Sequence, residues 1–280
     1  MVYEQSQSKG LPFPEWFSAM AANYAKQTGD STRRVFEACL EDIQAIKPIT
    51  KDDIVHDNAA GPGTAASVLV DKLPKDELPT ILVTDNVPPM VQAAKDTFKA
   101  WPAIETRVLD SLNLEGIPAD HFTHSILNFS VFTFADPLKG LQEIYRTLKP
   151  DGLAALLVWK RFGAGEVIHA AQALVRPDLP PMKVPHPEFL QEGVLEKHAV
   201  EAGFNPSGIK VLQRSLAVSG PELEEGLKPF MLGDFTKLAR AGWTEDEASR
   251  WPEVIDQVVK KELDAYGGVK FEAWIVLAKK

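Results

Sequence analysis

The eleven residues Ile54-Val55-His56-Asp57-Asn58-Ala59-Ala60-Gly61-Pro62-Gly63-Thr64 constrain this chain more than any other stretch. A short apolar run ends in an acid and opens into a glycine turn. The run predicts a buried strand whose carboxyl end delivers Asp57 to a crevice, and the turn is tight enough for a ligand to touch backbone. Gly61 and Gly63 supply positions without a Cβ, and the segment from Thr64 to Val70 reads as a helix whose first N–H groups point into the same crevice. Such a site suits a nucleotide-like small molecule.

The neighbouring runs bear on which nucleotide. Gly61-x-Gly63-x-x-Ala66 with Asp85 further on also satisfies the dinucleotide fingerprint, so a nicotinamide oxidoreductase is one reading. Asp57 weighs against it, because it stands four residues before Gly61, where a free amino group would be held and a pyrophosphate repelled. Asp85 ends the next apolar run and suits a ribose diol. Asp110, followed by Ser111, ends a third run and suits an adenine amine. Three acids at three successive strand ends favour a cationic sulfonium carrying an adenosine, that is, S-adenosylmethionine.

At these residues the chain resembles the class I S-adenosylmethionine-dependent methyltransferases, over roughly residues 53–161. Asp57-x-x-x-Gly61-x-Gly63-Thr64 matches the first motif, Asp85-Asn86-x-x-x-Met90 the ribose motif and Asp110-Ser111 the adenine motif. The run through Asn128 looks like the fourth strand, and Leu148-Lys149-Pro150-Asp151-Gly152 like the turn into the fifth. More narrowly, the chain is similar to small-molecule methyltransferases of fungal specialised metabolism. These often carry a Tyr…Thr-Gly-x-Ser/Cys-Thr-Arg segment ahead of the core, here Tyr24 and Thr28-Gly29-Asp30-Ser31-Thr32-Arg33. The resemblance implies cofactor contacts from Tyr24 and Thr28, from the loop residues Ala60, Gly61 and Gly63, and from Met90 and Asn86. Ala60 replaces the usual cysteine or glycine, and Asp151 replaces a glycine.

Apolar runs alternating with helical patterns predict an α/β fold, a Rossmann-like doubly wound sheet with a helical cap. Residues 1–50 read as the cap, with Trp16, Phe17, Met20, Ala21 and Tyr24 at helical spacing and a second helix over Thr32–Ile46. Residues 51–161 read as the cofactor-binding core. Residues 162–206 form a substrate flap and helices, since the segment from Arg176 to Pro187 holds five prolines and suits neither a helix nor a central strand. Residues 207–280 supply strands Ile209–Val218 and Val269–Ala278, with helices over Glu222–Ala241 and Thr244–Tyr266 between them. The resemblance implies that the last strand pairs beside the fifth, antiparallel to it.

A net charge of −9 provides no basic field for nucleic acid or an anionic membrane, leaving a small molecule as the expected partner. Cys39 is the single cysteine and fits a reducing compartment. The longest apolar run, Leu153–Trp159, is far short of a membrane span, and no signal-peptide pattern opens the chain, so the cytoplasm is the expected location. Methyl transfer needs a base only for a protonated acceptor. His169 and His186, in the variable region, are the candidate bases. Asn128, at the end of the fourth strand, is a candidate contact to the methionine portion or the acceptor. His56 reads as packed core, and His121 and His124 as structural. Phe129, Phe132, Phe134, Trp159 and Phe162 predict an aromatic acceptor pocket, and no residue cluster predicts a metal. A methyltransferase fold that binds the cofactor without methylating is the remaining alternative.

Overall fold

A computed structural model describes Phe17, Ser18 and residues 20–280, apart from the side chains of Asp234 and Phe235. Trp16 lies outside the described residues. A one-turn helix at Tyr24–Gln27 leads into α1 (Ser31–Ile46). There follow β1 (Ile54–Asn58), α2 (Thr64–Lys72), β2 (Thr80–Asp85), α3 (Pro88–Phe98) and β3 (Ile104–Val108). The core continues through β4 (Phe122–Asn128), α4 (Pro137–Thr147), β5 (Leu148–Arg161) and α5 (Gly163–Val175). It closes with α6 (Val194–Ala202), β6 (Ile209–Val218), α7 (Trp251–Tyr266) and β7 (Val269–Lys279).

The seven strands form one sheet in the order β3-β2-β1-β4-β5-β7-β6. β1 to β5 pair in parallel, and β7 runs antiparallel to both β5 and β6. The two-residue strand period sends alternate side chains to opposite faces. Val55, Ile81, Val83, Ala155 and Ile275 pack under α1, α2, α5 and α7, while Leu82, Leu127, Leu156 and Trp274 pack under α4 and α6. Chain order reverses between β1 and β4, so the loops leaving those two strands diverge and open a crevice at their carboxyl ends.

The predicted element borders hold where periodicity is strong. They fail where a glycine or proline interrupts an apolar face. The helix expected over Glu222–Ala241 is a short helix, a π turn at Leu223–Leu227, a second short helix and a 3₁₀ segment, with Gly226, Pro229 and Gly233 at the breaks. A Cβ on Gly226 would collide with the Lys26 carbonyl, so this glycine lets the N-terminal segment dock. The helix expected over Thr244–Tyr266 breaks at Arg250, ahead of Pro252 at the start of α7. Among the described residues no helix is long and apolar enough to cross a membrane, and no group of His, Cys, Asp or Glu could hold a metal ion.

Candidate active site

The crevice is framed by two residues that turn the chain in the left-handed region, Ala59 after β1 (φ 48°) and Phe129 after β4 (φ 59°). Such a conformation costs about 1–3 kcal/mol at a non-glycine residue and persists only where its surroundings enforce it. Here Ser130 Oγ donates to the Ala59 carbonyl at 2.9 Å, tying the two turns together, and Phe129 N–H donates to the Leu157 carbonyl.

The acids act first on the protein's own backbone. Asp85 accepts from Gly61 N–H at 2.8 Å and from Val87 N–H at 2.9 Å, fixing the glycine turn beside the strand end. Burial raises its carboxyl above the usual range, against the pull of those backbone donors. Asp57 is fully buried and does not line the crevice. Its Oδ2 accepts from Ala66 N–H at 2.8 Å in the first turn of α2, and its Oδ1 has no partner. Burial, with added repulsion from Asp85, pushes its carboxyl up to about 7. Gly63 also stands behind the crevice, where a Cβ would lie 2.5 Å from the Phe98 ring and φ is 85°. Gly61 (φ 55°) does line it, and an added Cβ there meets nothing nearer than Met90 Sδ at 3.9 Å. The first glycine is therefore required by backbone conformation, the second by conformation and packing.

The cleft itself encloses about 260 Å³. Tyr24, Ala60, Gly61, Asp85, Asn86, Met90, Asp110, Ser111 and Asn128 line it. Ser111 Oγ donates to Asn58 Oδ1 at 2.8 Å, while Asn58 Nδ2 and Asn128 Oδ1 are buried without partners. His56 lies within the sheet, its Nε2 2.8 Å from Thr84 Oγ1, and burial lowers its titration to about 3, so it is a neutral core group. His124 bonds the Lys47 carbonyl through Nε2 at 3.1 Å.

A second cavity of about 750 Å³ adjoins the cleft, and Phe17, Tyr24, Phe129 and Thr133 line both. Phe132, Trp159 and Phe162 stand in this chamber, whereas Phe134 lines the cleft. Phe129 stacks on Trp159 with centroids 3.8 Å apart. The proline-rich segment covers one side, from Pro180 to Pro187. Thr28 belongs to the chamber wall, its hydroxyl donating to the Tyr24 carbonyl at 3.0 Å. His169 and His186 also lie there. Tyr24 is pushed up to about 12, chiefly by burial, so its hydroxyl stays protonated. Sequence reasoning missed Ser130, which carries no motif, and the chamber residue Phe230, which reaches the chamber only through the fold.

The family profile described as "Methyltransferase domain" matches residues 56–156, from β1 into β5. Methyltransferase ucsB of an Acremonium species is 27% identical over 190 residues, spanning 64% of this chain and 66% of that protein. Methyltransferase ktnA of Aspergillus niger is 24% identical over 263 residues, spanning 82% and 85%. By these comparisons the chain is similar to methyltransferases, which supports S-adenosylmethionine-dependent methyl transfer. Among solved structures, the MccD protein superposes with a TM-score of 0.53 at 13% identity, covering 86% of this chain and 96% of that one, a likeness of fold. The methyltransferase-domain match supports S-adenosylmethionine as the cofactor. The cleft fits it chemically: a cationic, amine-bearing nucleoside needs acceptors, and among the described residues the cleft holds a buried acceptor oxygen without a partner on Asn128, beside Asp85 and Asp110.

Proposed function

We propose that this methyltransferase transfers a methyl group to oxygen, nitrogen or sulfur of a small, largely apolar metabolite held in the 750 Å³ chamber. The observation that carries this reading is the shared wall: Phe17, Tyr24, Phe129 and Thr133 border both the polar cleft and the apolar chamber. When bound, the cofactor supplies an electrophilic methyl carbon on a sulfonium. Asp85 would accept from the ribose diol, Asp110 and Ser111 would receive the adenine end beside Met90, and Asn128 Oδ1 would accept from the amino-acid portion, while Asp57 would hold the start of α2 from behind through Ala66 N–H. The chain's contribution to rate is alignment of donor and acceptor together with exclusion of water, and no metal is required.

The aromatic and aliphatic chamber walls favour a flat, apolar acceptor over a charged one. Residues 1–50 serve as a cap and residues 162–206 as the substrate flap over the 51–161 core, with residues 207–280 completing the sheet. Similarity to fungal methyltransferases supports a role in specialised metabolism, and the net charge of −9 supports a small-molecule partner over nucleic acid in the cytoplasm. Labelled-methyl transfer to a panel of hydroxy-, amino- and thio-aromatics is the test, run with and without a chelator. Label in at least one product, insensitive to chelation, is expected. Binding of S-adenosylhomocysteine without transfer to any acceptor would favour a non-methylating protein.

A further inference from the structure

We propose that His169 is the general base that takes the proton from a phenol-type hydroxyl bound in the chamber; this rests on the methyl-transfer reading above. Phe162, Gly165, Glu166 and His169 recur at helical spacing and turn one face of α5 to the chamber. His169 Nε2 lies 2.8 Å from the Met182 carbonyl. A carbonyl only accepts, so Nε2 carries the hydrogen and the lone pair of the neutral ring sits on Nδ1. The carbonyl is itself held: Met182 N–H donates to Gln172 Oε1 at 2.9 Å, and Gln172 Nε2 donates to the Ala239 carbonyl at 2.7 Å. One nitrogen fixed by a rigid acceptor with the other left basic is the arrangement a general base needs.

His186 is built differently. Its Nε2 faces the Phe134 carbonyl at 3.0 Å and its Nδ1 faces Glu188 Oε1 at 2.9 Å. Both nitrogens are engaged, so His186 ties the flap to the loop after β4 and is no base.

The acceptor class follows from the base and the walls. A neutral aromatic amine or a thioether already presents its lone pair, whereas a hydroxyl must lose a proton, and a phenol matches imidazole more closely than an aliphatic alcohol does. The Phe129–Trp159 stack and Phe162 suit a flat ring. The phenol proton passes to Nδ1 as the oxygen lone pair forms the O–CH₃ bond; the C–S bond breaks with its electron pair on sulfur, leaving S-adenosylhomocysteine. The imidazolium then returns its proton to water, and Nε2–H stays on Met182 throughout. The titratable side chains sharing the chamber wall with His169 are Glu166, Lys183, His186 and Tyr24.

His169→Gln keeps a donor for the Met182 carbonyl and removes the base. With 1-hydroxypyrene as the acceptor probe, the variant should bind S-adenosylhomocysteine within about two-fold of wild type by calorimetry, and kcat should fall about 100- to 10,000-fold. In ¹⁵N NMR, His169 should show the neutral Nε2–H tautomer, with its Nδ1 resonance moved by 1-hydroxypyrene. Full activity in His169→Gln, or an Nδ1–H tautomer, would reduce His169 to a flap clamp and overturn the proposal. Wild type that binds S-adenosylhomocysteine but does not methylate 1-hydroxypyrene would overturn the acceptor class while leaving the cofactor reading intact; absence of S-adenosylhomocysteine binding would overturn that reading itself.

Discussion

The cleft and the chamber meet at Phe129 yet are made by different means. The cleft is small and polar, and its walls come from strand ends and turns whose positions the sheet register dictates: Asn58 lies opposite Thr84 on one side and Leu127 on the other. Its acids are first partners of backbone N–H groups, as Asp85 is for Gly61 and Val87. The chamber is nearly three times larger and apolar, drawing Met20, Phe162, Met182 and Phe230 from segments with no common register. The contrast separates two kinds of recognition. On the proposed reading, the constant ligand would be read by backbone and acids, and the variable one by side chains on irregular chain that can change without disturbing the sheet.

The largest effect should come from Asp57, on the cleft side alone. Its folded value of about 7 stands above the ordinary 3.8, so the native state holds more proton than the unfolded chain between those values. Stability from this group is therefore present at low pH and lost as pH rises toward 7, by up to about 4 kcal/mol. Buried His56, lowered to about 3, runs the opposite way over much of the same window. The wild-type curve alone will look flat, and the difference between wild type and Asp57→Asn isolates the effect. Denaturant titrations should show Asp57→Asn gaining on wild type from pH 4 to pH 8. A constant difference would mean that Asp57 is ionised at little cost.

Asp85→Ala comes next. It removes an acceptor from two backbone donors and, on the proposed reading, from the cofactor, and S-adenosylhomocysteine affinity should fall by about 1.5–3 kcal/mol, roughly 10- to 150-fold. Undiminished affinity by calorimetry would put the ligand elsewhere. The two glycines sharpen the same point. Gly63→Ala drives a Cβ against Phe98 at 2.5 Å in left-handed backbone, and should cost about 2–4 kcal/mol of stability. Gly61→Ala meets only Met90 Sδ, at ordinary contact distance, and should cost about 1–2 kcal/mol, for conformation alone. Equal losses in thermal or urea unfolding would contradict the packing role assigned to Gly63.

The smallest effect on the cleft should come from the chamber. Phe162→Ala should leave S-adenosylhomocysteine affinity within about two-fold while weakening an aromatic acceptor by about 0.5–1.5 kcal/mol, the worth of an aromatic pair. A large loss of cofactor affinity would erase the division between the two regions.

How far each region was legible follows from the same contrast. β1 and α2 appear at the predicted residues because an apolar run, a glycine turn and a helix start coincide there. Asp57 was legible as a strand-end acid, but its direction required counting in twos from Val55. That count puts it on the face beneath α2, where its carboxylate holds the Ala66 N–H in place of lining the cleft. The aromatic set after β4 and β5 was legible as a pocket because strand ends cluster. Thr28, expected at the cofactor, stands in the chamber wall because its hydroxyl closes its own helical turn. Nothing in the local sequence pairs Met182 with His169 and Gln172; that contact depends on how the flap folds back over α5.

The central claim is that the two cavities hold two ligands at once, cofactor in the cleft and acceptor in the chamber. Titration of 1-hydroxypyrene into protein saturated with S-adenosylhomocysteine tests it directly, followed by calorimetry or pyrene fluorescence. A ternary complex is expected, with 1-hydroxypyrene affinity equal to or greater than that for the free protein. Displacement of one ligand by the other, with affinity falling in proportion to S-adenosylhomocysteine concentration, would show a single shared site and contradict the account.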